Sequence, residues 1–344
     1  MDPTDAQVTM LCTDPHPAHR GFADAIDAQC IDFQHRSLGP LDDGLAADVV
    51  NGLTYPAADV YIVEGSQPLY AALVARLTSG TPIVYLCADH GLYELGHGDF
   101  EGQSTMKSLV GRFGQPLISQ VARHGIDGVI AVSEFAAEFT RPIVGAHTPM
   151  RVAHPYVQPA VFDSLQDVSP ALTGATVVTV ARGDRYKGVD MLVDAWPTVR
   201  EQHPEATLHI VGAGHPEAYE TTAGVHVRGF VDDLAAALAK GALFVQPSRM
   251  DTFPVTTLEA MCAGLPPLVT STTGTRSVAR TIDPSLVVEP TPAALAAGIS
   301  RYLDRDVVTR RSLSTRARVH GETFDEATRT AAFSRAFHAL LEEL

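Results

Sequence analysis

Short apolar runs alternate with amphipathic stretches along the chain of 344 residues. VTMLCT (8–13), DVYIVE (59–64), PIVYLCA (82–88) and DGVIAVS (127–133) are almost continuously apolar and rich in Val and Ile. That is the pattern of strands buried on both faces. Helical spacing recurs between them, near 20–29, 44–51, 68–78, 104–124 and 134–144. The alternation predicts a doubly wound parallel sheet. The pattern then restarts. TVVTVA (176–181), TLHIVG (207–212), ALFVQP (242–247), PPLVTS (266–271) and SLVVEP (285–290) form a second strand set, with helices expected near 187–202, 233–240, 254–263 and 292–303. Between the sets, residues 157–174 are rich in proline and polar residues and weakly periodic, which marks an interdomain linker. Two more helices are expected, at 306–321 and 325–343. The second carries an apolar stripe from Ala331 to Leu341 that needs a partner surface.

Length and composition agree with this division. A chain of 344 residues exceeds the usual size of one core, so two domains are expected. Hydrophobic residues at 45% and charged residues at 19% exclude wholesale disorder. The net charge is −15; residues 1–165 hold 8 Lys and Arg against 19 Asp and Glu, and residues 166–344 hold 17 against 21. An acidic surface repels phosphates, so no nucleic-acid partner is expected. Arginine supplies nearly all the positive charge, since Lys107, Lys187 and Lys240 are the only lysines. Adaptation to high salt and a GC-rich genome both produce this bias. Cys12, Cys30, Cys87 and Cys262 form no CxxC pair and read as buried free thiols. MDPTDAQVTM has neither a basic nor an apolar leader region, and no apolar run reaches spanning length, so a cytoplasmic protein is expected.

Four segments of the second half carry candidate chemistry. ARGDRYKG places Arg182 at a strand end and Lys187 five residues later. Ligands of open α/β sheets bind beyond the carboxyl ends of strands, and two cations beside a helix N-terminus suit a diphosphate. VGAGHPE places Gly212 and Gly214 after a strand, where backbone can approach a ligand closely. VRGFVDDL ends a strand at Gly229, offers Phe230 and Val231 to a base edge, and caps a helix with Asp232 or Asp233. QPSRMDTFPVTTLEAMCAGLPPLVT places Asp251, Thr252 and Phe253 in a loop, Pro254 at a helix start and Glu259 inside the helix. A carboxylate there accepts both ribose hydroxyls while helix N–H groups face a phosphate. Taken singly, each segment has a plainer reading: solvated loop charges, a strand-to-loop turn, a helix cap, or acids favouring a helix dipole.

Together, in this order and spacing, residues 176–280 resemble the donor domain of retaining GT-B glycosyltransferases of the large family 4 type, also called glycosyl transferases group 1. The family's Arg-x4-Lys-Gly, Gly-x-Gly, Gly-x-Val and E-x7-E motifs are matched by Arg182, Lys187 and Gly188, by Gly212 and Gly214, by Gly229 and Val231, and by Asp251 and Glu259 followed by Ala260 and Met261. Asp251 is one methylene shorter than the family's first glutamate, and Thr252 and Pro254 stand where glycine is frequent. The resemblance implies two Rossmann-like doubly wound domains facing across a cleft. Residues 1–165, joined by the C-terminal helix 325–344, would form the acceptor side, and 166–324 the nucleotide-sugar donor side. It implies transfer of a hexose to an acceptor hydroxyl with retained configuration and no cofactor or metal. Arg182 and Lys187 would stabilise the departing diphosphate, Asp251 the donor sugar, and Glu259 the ribose. His90, after PIVYLCAD, would face the donor sugar from the first domain; a packed strand-end histidine is its alternative.

Beside this stand a sugar-phosphate or polyol glycoside synthase of the same architecture, and a non-catalytic binding subunit. A dehydrogenase would need GxGxxG after the first strand, where TDPHPAHRGF stands instead. His16 and His19 in that stretch read as ordinary loop residues. Asp304–Arg305–Asp306, the one DxD, lies between helices and reads as surface charge. The acceptor is a glycan, a lipid or a small molecule. Residues 102–126 contain no acid yet hold Lys107, Arg112, Arg123 and His124 among spaced apolar residues. Two readings stay open for the helix at 104–124: a basic amphipathic surface resting on anionic lipid, or a buried crossover whose face lacks acids.

Overall fold

The computed structural model describes residues 6–13, 17–32, 55–91 and 120–344. They divide into two compact units, Met1–Pro155 with Ala327–Leu344, and Tyr156–Glu326.

The first unit runs β1 (Val8–Cys12), α1 (Pro17–Asp24), β2 (Gln29–Asp32), β3 (Val60–Val63), α2 (Ser66–Ser79), β4 (Ile83–Cys87), β5 (Gly128–Ala131), α3 (Glu134–Val144) and β6 (Met150–Val152). Its parallel sheet has the order β2-β1-β3-β4-β5-β6. The four inner strands β1, β3, β4 and β5 are buried along their whole length, as their unbroken apolar sequences require. The edge strands β2 and β6 are only half-buried, so they carry no such run and are not predicted from sequence. The helix expected at 20–29 ends at Asp24, and the chain enters β2 instead. The helix expected at 44–51 and most of the one at 104–124 lie outside the described residues.

The second unit begins with α4 (Pro159–Gln166), followed by β7 (Thr176–Val180), α5 (Val189–Gln202), β8 (Thr207–Val211), β9 (Val225–Gly229), α6 (Leu234–Ala239), β10 (Leu243–Gln246), α7 (Val255–Cys262), β11 (Pro267–Thr270), α8 (Arg276–Ile282), β12 (Val287–Val288), α9 (Pro292–Leu303) and α10 (Val307–Gly321). Its parallel sheet has the order β12-β11-β10-β7-β8-β9. Three strands wind outward from β7 on one side, and three from β10 on the other. The winding therefore reverses between β7 and β10, the place where doubly wound sheets bind ligands.

Segment 157–174, expected as an irregular linker, contains α4, with Pro159 in its first turn. The Arg318 guanidinium of α10 donates to Gln166 O of α4 at 2.7 Å and to Cys262 O of α7 at 2.8 Å. These bonds satisfy carbonyls at two helix C-termini and hold α4 within the second unit. The units consequently part at Pro155–Tyr156 rather than at 165/166.

The last helix, α11 (Glu326–Leu341), lies in the first unit from Ala327 onward. Its stripe residues Phe333, Phe337 and Leu340 are buried, and Phe333 stacks on Phe22 of α1 with centroids 4.2 Å apart. Leu340 packs on Gly128 of β5, and Arg151 of β6 pairs with Glu343. Phe333→Leu keeps most of the volume but loses the ring stack, and should cost about 1–2 kcal/mol. An unchanged midpoint in equilibrium denaturation would show the stack to be dispensable.

All four cysteines are free; Cys12, Cys87 and Cys262 are buried and Cys30 is half-buried. Among the described residues no helix is long and apolar enough to cross a membrane.

Candidate functional site

The reversal between β7 and β10 brings two loops together. The first leaves β7 and carries Arg182 to Lys187; the second leaves β10 and carries Ser248 to Asp251. Gly188, the residue before α5, has φ +69°, and a side chain there would run into the Pro247 carbonyl. Glycine is thus what lets the first loop lie directly on the end of β10.

Within this junction Lys187 Nζ donates to Asp251 Oδ2 at 2.7 Å. Both are largely out of solvent, with side-chain exposures of 19% and 8%. Burial works against the Lys187 ammonium, but the neighbouring Asp251 carboxylate, Tyr186 and the hydrogen bond to Asp251 outweigh it and hold its pKa above the ordinary value. The ammonium also stands 5.0 Å from the centre of the Tyr186 ring. Asp251 is held through its backbone, donating to Thr272 O at 3.1 Å and accepting from Gly274 N at 2.8 Å.

A buried polar chain leads to the same carboxylate. The Thr256 hydroxyl donates to Gln246 Oε1 at 3.1 Å, the Gln246 amide donates to Ser248 Oγ at 2.8 Å, and Ser248 reaches Asp251 Oδ2 at 3.5 Å. Every donor points toward the negative charge, so each bond polarises the next. Gln246, Ser248 and Thr256 are not among the candidate site residues read from the sequence. A fully buried glutamine at the end of an otherwise apolar strand was the available signal.

Glu259 lies on α7, beyond the loop of Asp251. Among the described residues nothing pairs with its carboxyl, and burial alone pushes its pKa up to about 7. A half-buried carboxyl without a partner in the protein is costly unless a ligand supplies one. The start of α7 has no side-chain cap: Pro254 stands at the cap position and provides none, and only the Thr257 N–H turns back, to Pro254 O at 3.1 Å.

The remaining predicted residues fall into distinct settings. Arg182 is 74% exposed and pairs with Asp184 at 2.9 Å; its charge is favoured first by a hydrogen bond with Tyr186. Gly212 is committed to packing: its N–H bonds Gly229 O at 2.7 Å, and a side chain there would strike the Ala181 carbonyl. Gly214 is exposed beside the Gly183 backbone. Phe230 is 79% exposed, and Val231 half-buried. Thr252 and Phe253 are buried side chains, with Phe253 6.1 Å from the Phe324 ring, so their backbone is what they offer a ligand.

His90 belongs to the first unit, after β4, half-buried beside Asp89. Burial and Glu64 raise the Asp89 pKa, although the Tyr85 hydroxyl and Gly91 N–H donate to its carboxylate at 3.0 and 3.2 Å. His19 stands on α1 rather than in a loop, 3.0 Å from Glu64; His16 lies outside the described residues. Asp304 faces His203 at 3.6 Å, and Asp306 caps α10 by accepting from Thr309 N at 2.8 Å. Asp233 rather than Asp232 caps α6, accepting from Ala236 N at 2.8 Å. Among the described residues no group of three or more His, Cys, Asp or Glu could hold a metal ion.

Comparison with known proteins places this junction in context. The family described as glycosyl transferases group 1 matches residues 174–305. Mannosylfructose-phosphate synthase of Agrobacterium fabrum is 33% identical over 115 residues, covering 28% of this chain and 25% of that protein. Phosphatidyl-myo-inositol mannosyltransferase of Mycobacterium leprae is 30% identical over 202 residues, covering 56% of this chain and 54% of that protein. The chain thus spans about half or less of the length of these relatives. Among solved structures, sucrose-phosphate synthase from Thermosynechococcus elongatus superposes with a TM-score of 0.74 at 17% identity, covering 98% of this chain and 100% of that one. HepE of Anabaena in complex with UDP and glucose gives 0.69 at 15% identity, with the same coverage. The fold is that of these proteins, an α/β fold of two parallel-sheet domains of the GT-B type.

Proposed function

We propose that this chain, whose residues 174–305 match the family described as glycosyl transferases group 1, is a retaining glycosyltransferase. It moves a hexose from a nucleotide-diphosphate sugar to an acceptor hydroxyl. The observation that carries this reading is the junction between β7 and β10. A buried Lys187–Asp251 pair, a helix start without a side-chain cap and a Glu259 carboxyl with no partner among the described residues support sites for a diphosphate, a sugar and a ribose.

In the proposed step the acceptor oxygen attacks the anomeric carbon on the face from which the diphosphate departs. The bond between that carbon and the phosphate oxygen breaks, and the phosphate oxygen takes the acceptor's proton. Lys187 and Arg182 offset the negative charge that grows on the diphosphate, and α7 adds its first N–H groups. The paired Lys187 and Asp251 present a cation to the phosphate and a carboxylate to the sugar hydroxyls. Ionised Glu259 accepts from the ribose. Gly214, Thr252, Phe253 and Val231 offer backbone groups, and Phe230 offers an exposed ring to the base. The role toward the donor sugar that the resemblance implies for His90, after β4 of the first unit, is part of the same proposal.

Two further elements of the reading concern the acceptor. Mannosylfructose-phosphate synthase and sucrose-phosphate synthase among the similar proteins keep a sugar-phosphate or polyol acceptor in view beside a glycan or lipid-linked one. The membrane-contact reading rests on residues 104–124, most of which lie outside the described residues.

The test is a thermal-shift screen of nucleoside diphosphates and nucleotide sugars, followed by donor hydrolysis. A ligand that binds the native state at 100 times its Kd adds about 2.7 kcal/mol of stability, a readily measured rise in Tm. No shift with any nucleotide, and no hydrolysis of any donor, would remove the proposal.

A further inference from the structure

Lys187 and Asp251 come from loops that follow different strands, so their mutual distance is set by whatever ties one loop to the other. The most specific tie is Arg249, two residues before Asp251. Its guanidinium donates to both Asp190 carboxylate oxygens, at 2.6 and 2.7 Å, and to Arg185 O at 2.8 Å. Its backbone N–H donates to Tyr186 O at 2.8 Å. Asp190 sits in the first turn of α5, three residues after Lys187. One side chain therefore grips the Lys187 loop from both sides of the lysine, at Arg185 and at Asp190.

We propose that Arg249 and Asp190 are positioning residues, a two-pronged clamp that holds Lys187 against Asp251 so that a nucleotide sugar meets a preset pair of charges. This rests on the donor-site reading above. The clamp is poorly placed to serve stability. Its partners are 30% and 34% exposed, a setting in which ion pairs contribute little. What the geometry does supply is direction. A planar guanidinium bonded at both prongs fixes angle as well as distance, which a lysine in its place would not do. Displacement by a fraction of an ångström matters for a site that acts by orienting charges.

The experiment uses the full chain with UDP, GDP and ADP as probes in titration calorimetry. The variants are Arg249→Met, Arg249→Lys, Asp190→Asn and the double Arg249→Met/Asp190→Asn. Each single variant should weaken whichever nucleotide binds by about tenfold, as expected of a small misplacement, with little change in the ligand-free Tm. The double variant should be no worse than either single one, because the two residues act as a unit. Full affinity in Arg249→Met, or additive losses in the double variant, would overturn the clamp. A crystal structure of Arg249→Met decides independently of any nucleotide. Separation of Lys187 from Asp251 supports the clamp, and an unmoved pair refutes it. A wild-type chain that binds none of the three nucleotides instead overturns the donor-site reading, and that crystal structure still decides the clamp.

Discussion

Lys187→Ala should lower turnover by on the order of 10²–10³-fold, the loss seen when one preorganised donor is taken from a developing charge. The substitution also strands Asp251, a carboxylate only 8% exposed, without its partner. Removing one member of a buried pair costs about 3–5 kcal/mol of stability, so a fall in activity by itself would be ambiguous. The double variant Lys187→Met/Asp251→Asn separates the causes. It leaves no unpaired charge and should recover most of the lost Tm while remaining inactive. Activity that returned together with Tm would show that Lys187 serves folding and not the diphosphate. Arg182→Ala should reduce turnover in the same direction with almost no stability cost, since its guanidinium is mostly in solvent.

Glu259→Gln should weaken nucleotide affinity while stabilising the ligand-free protein above neutral pH. Losing the charge in a pair of ribose hydrogen bonds is worth about 1.5–3 kcal/mol, roughly 10- to 100-fold in Kd. The stability effect follows from linkage. Burial raises the Glu259 pKa from 4.5 to about 7 in the folded chain. The folded state therefore holds this proton more tightly than the unfolded state does. Its contribution to stability is fully present below about 4.5 and is lost as pH rises through about 7. Glutamine, which never ionises, escapes the loss, so the Tm advantage of the variant should be larger at pH 8 than at pH 5.5. Nucleotide affinity of the wild type should fall as pH drops through the neutral range and Glu259 takes up its proton; that dependence should vanish in the variant. A wild-type affinity flat with pH, or a variant with unchanged Kd, would make Glu259 a structural residue.

What was legible in the sequence follows from how each element is buried. Strands covered on both faces must be continuously apolar, which is why β1, β3, β4 and β5, and most of the second sheet, stand out as runs. The half-buried edges β2 and β6 have no such run to show. Helix α4 escaped because it has only eight residues, opens on Pro159 and lies in a polar segment with a second proline at Pro170. Its place is settled by Arg318, a residue about 150 positions away. The motifs of the second half were legible because each sits immediately after a strand, where backbone geometry and residue type are locally coupled: Gly188 and Gly212 are required by close backbone approach, and Pro254 marks the start of α7.

The sequence by itself thus determined the fold class, two doubly wound parallel sheets, and the cations and acids that the second of them carries. Periodicity and strand-end position are local properties, encoded within a few residues of where they act. The tertiary structure alone decided which of those groups meet. It paired Lys187 with Asp251, left Glu259 without a partner among the described residues, joined the Gly212 N–H to the Gly229 carbonyl, and ran a polar chain from Thr256 through Gln246 and Ser248 to Asp251. It also placed Arg249 across the Lys187 loop. The physical reason is that these contacts join loops brought together by a reversal of winding. Their energies depend on distance and burial, which no spacing along the chain records.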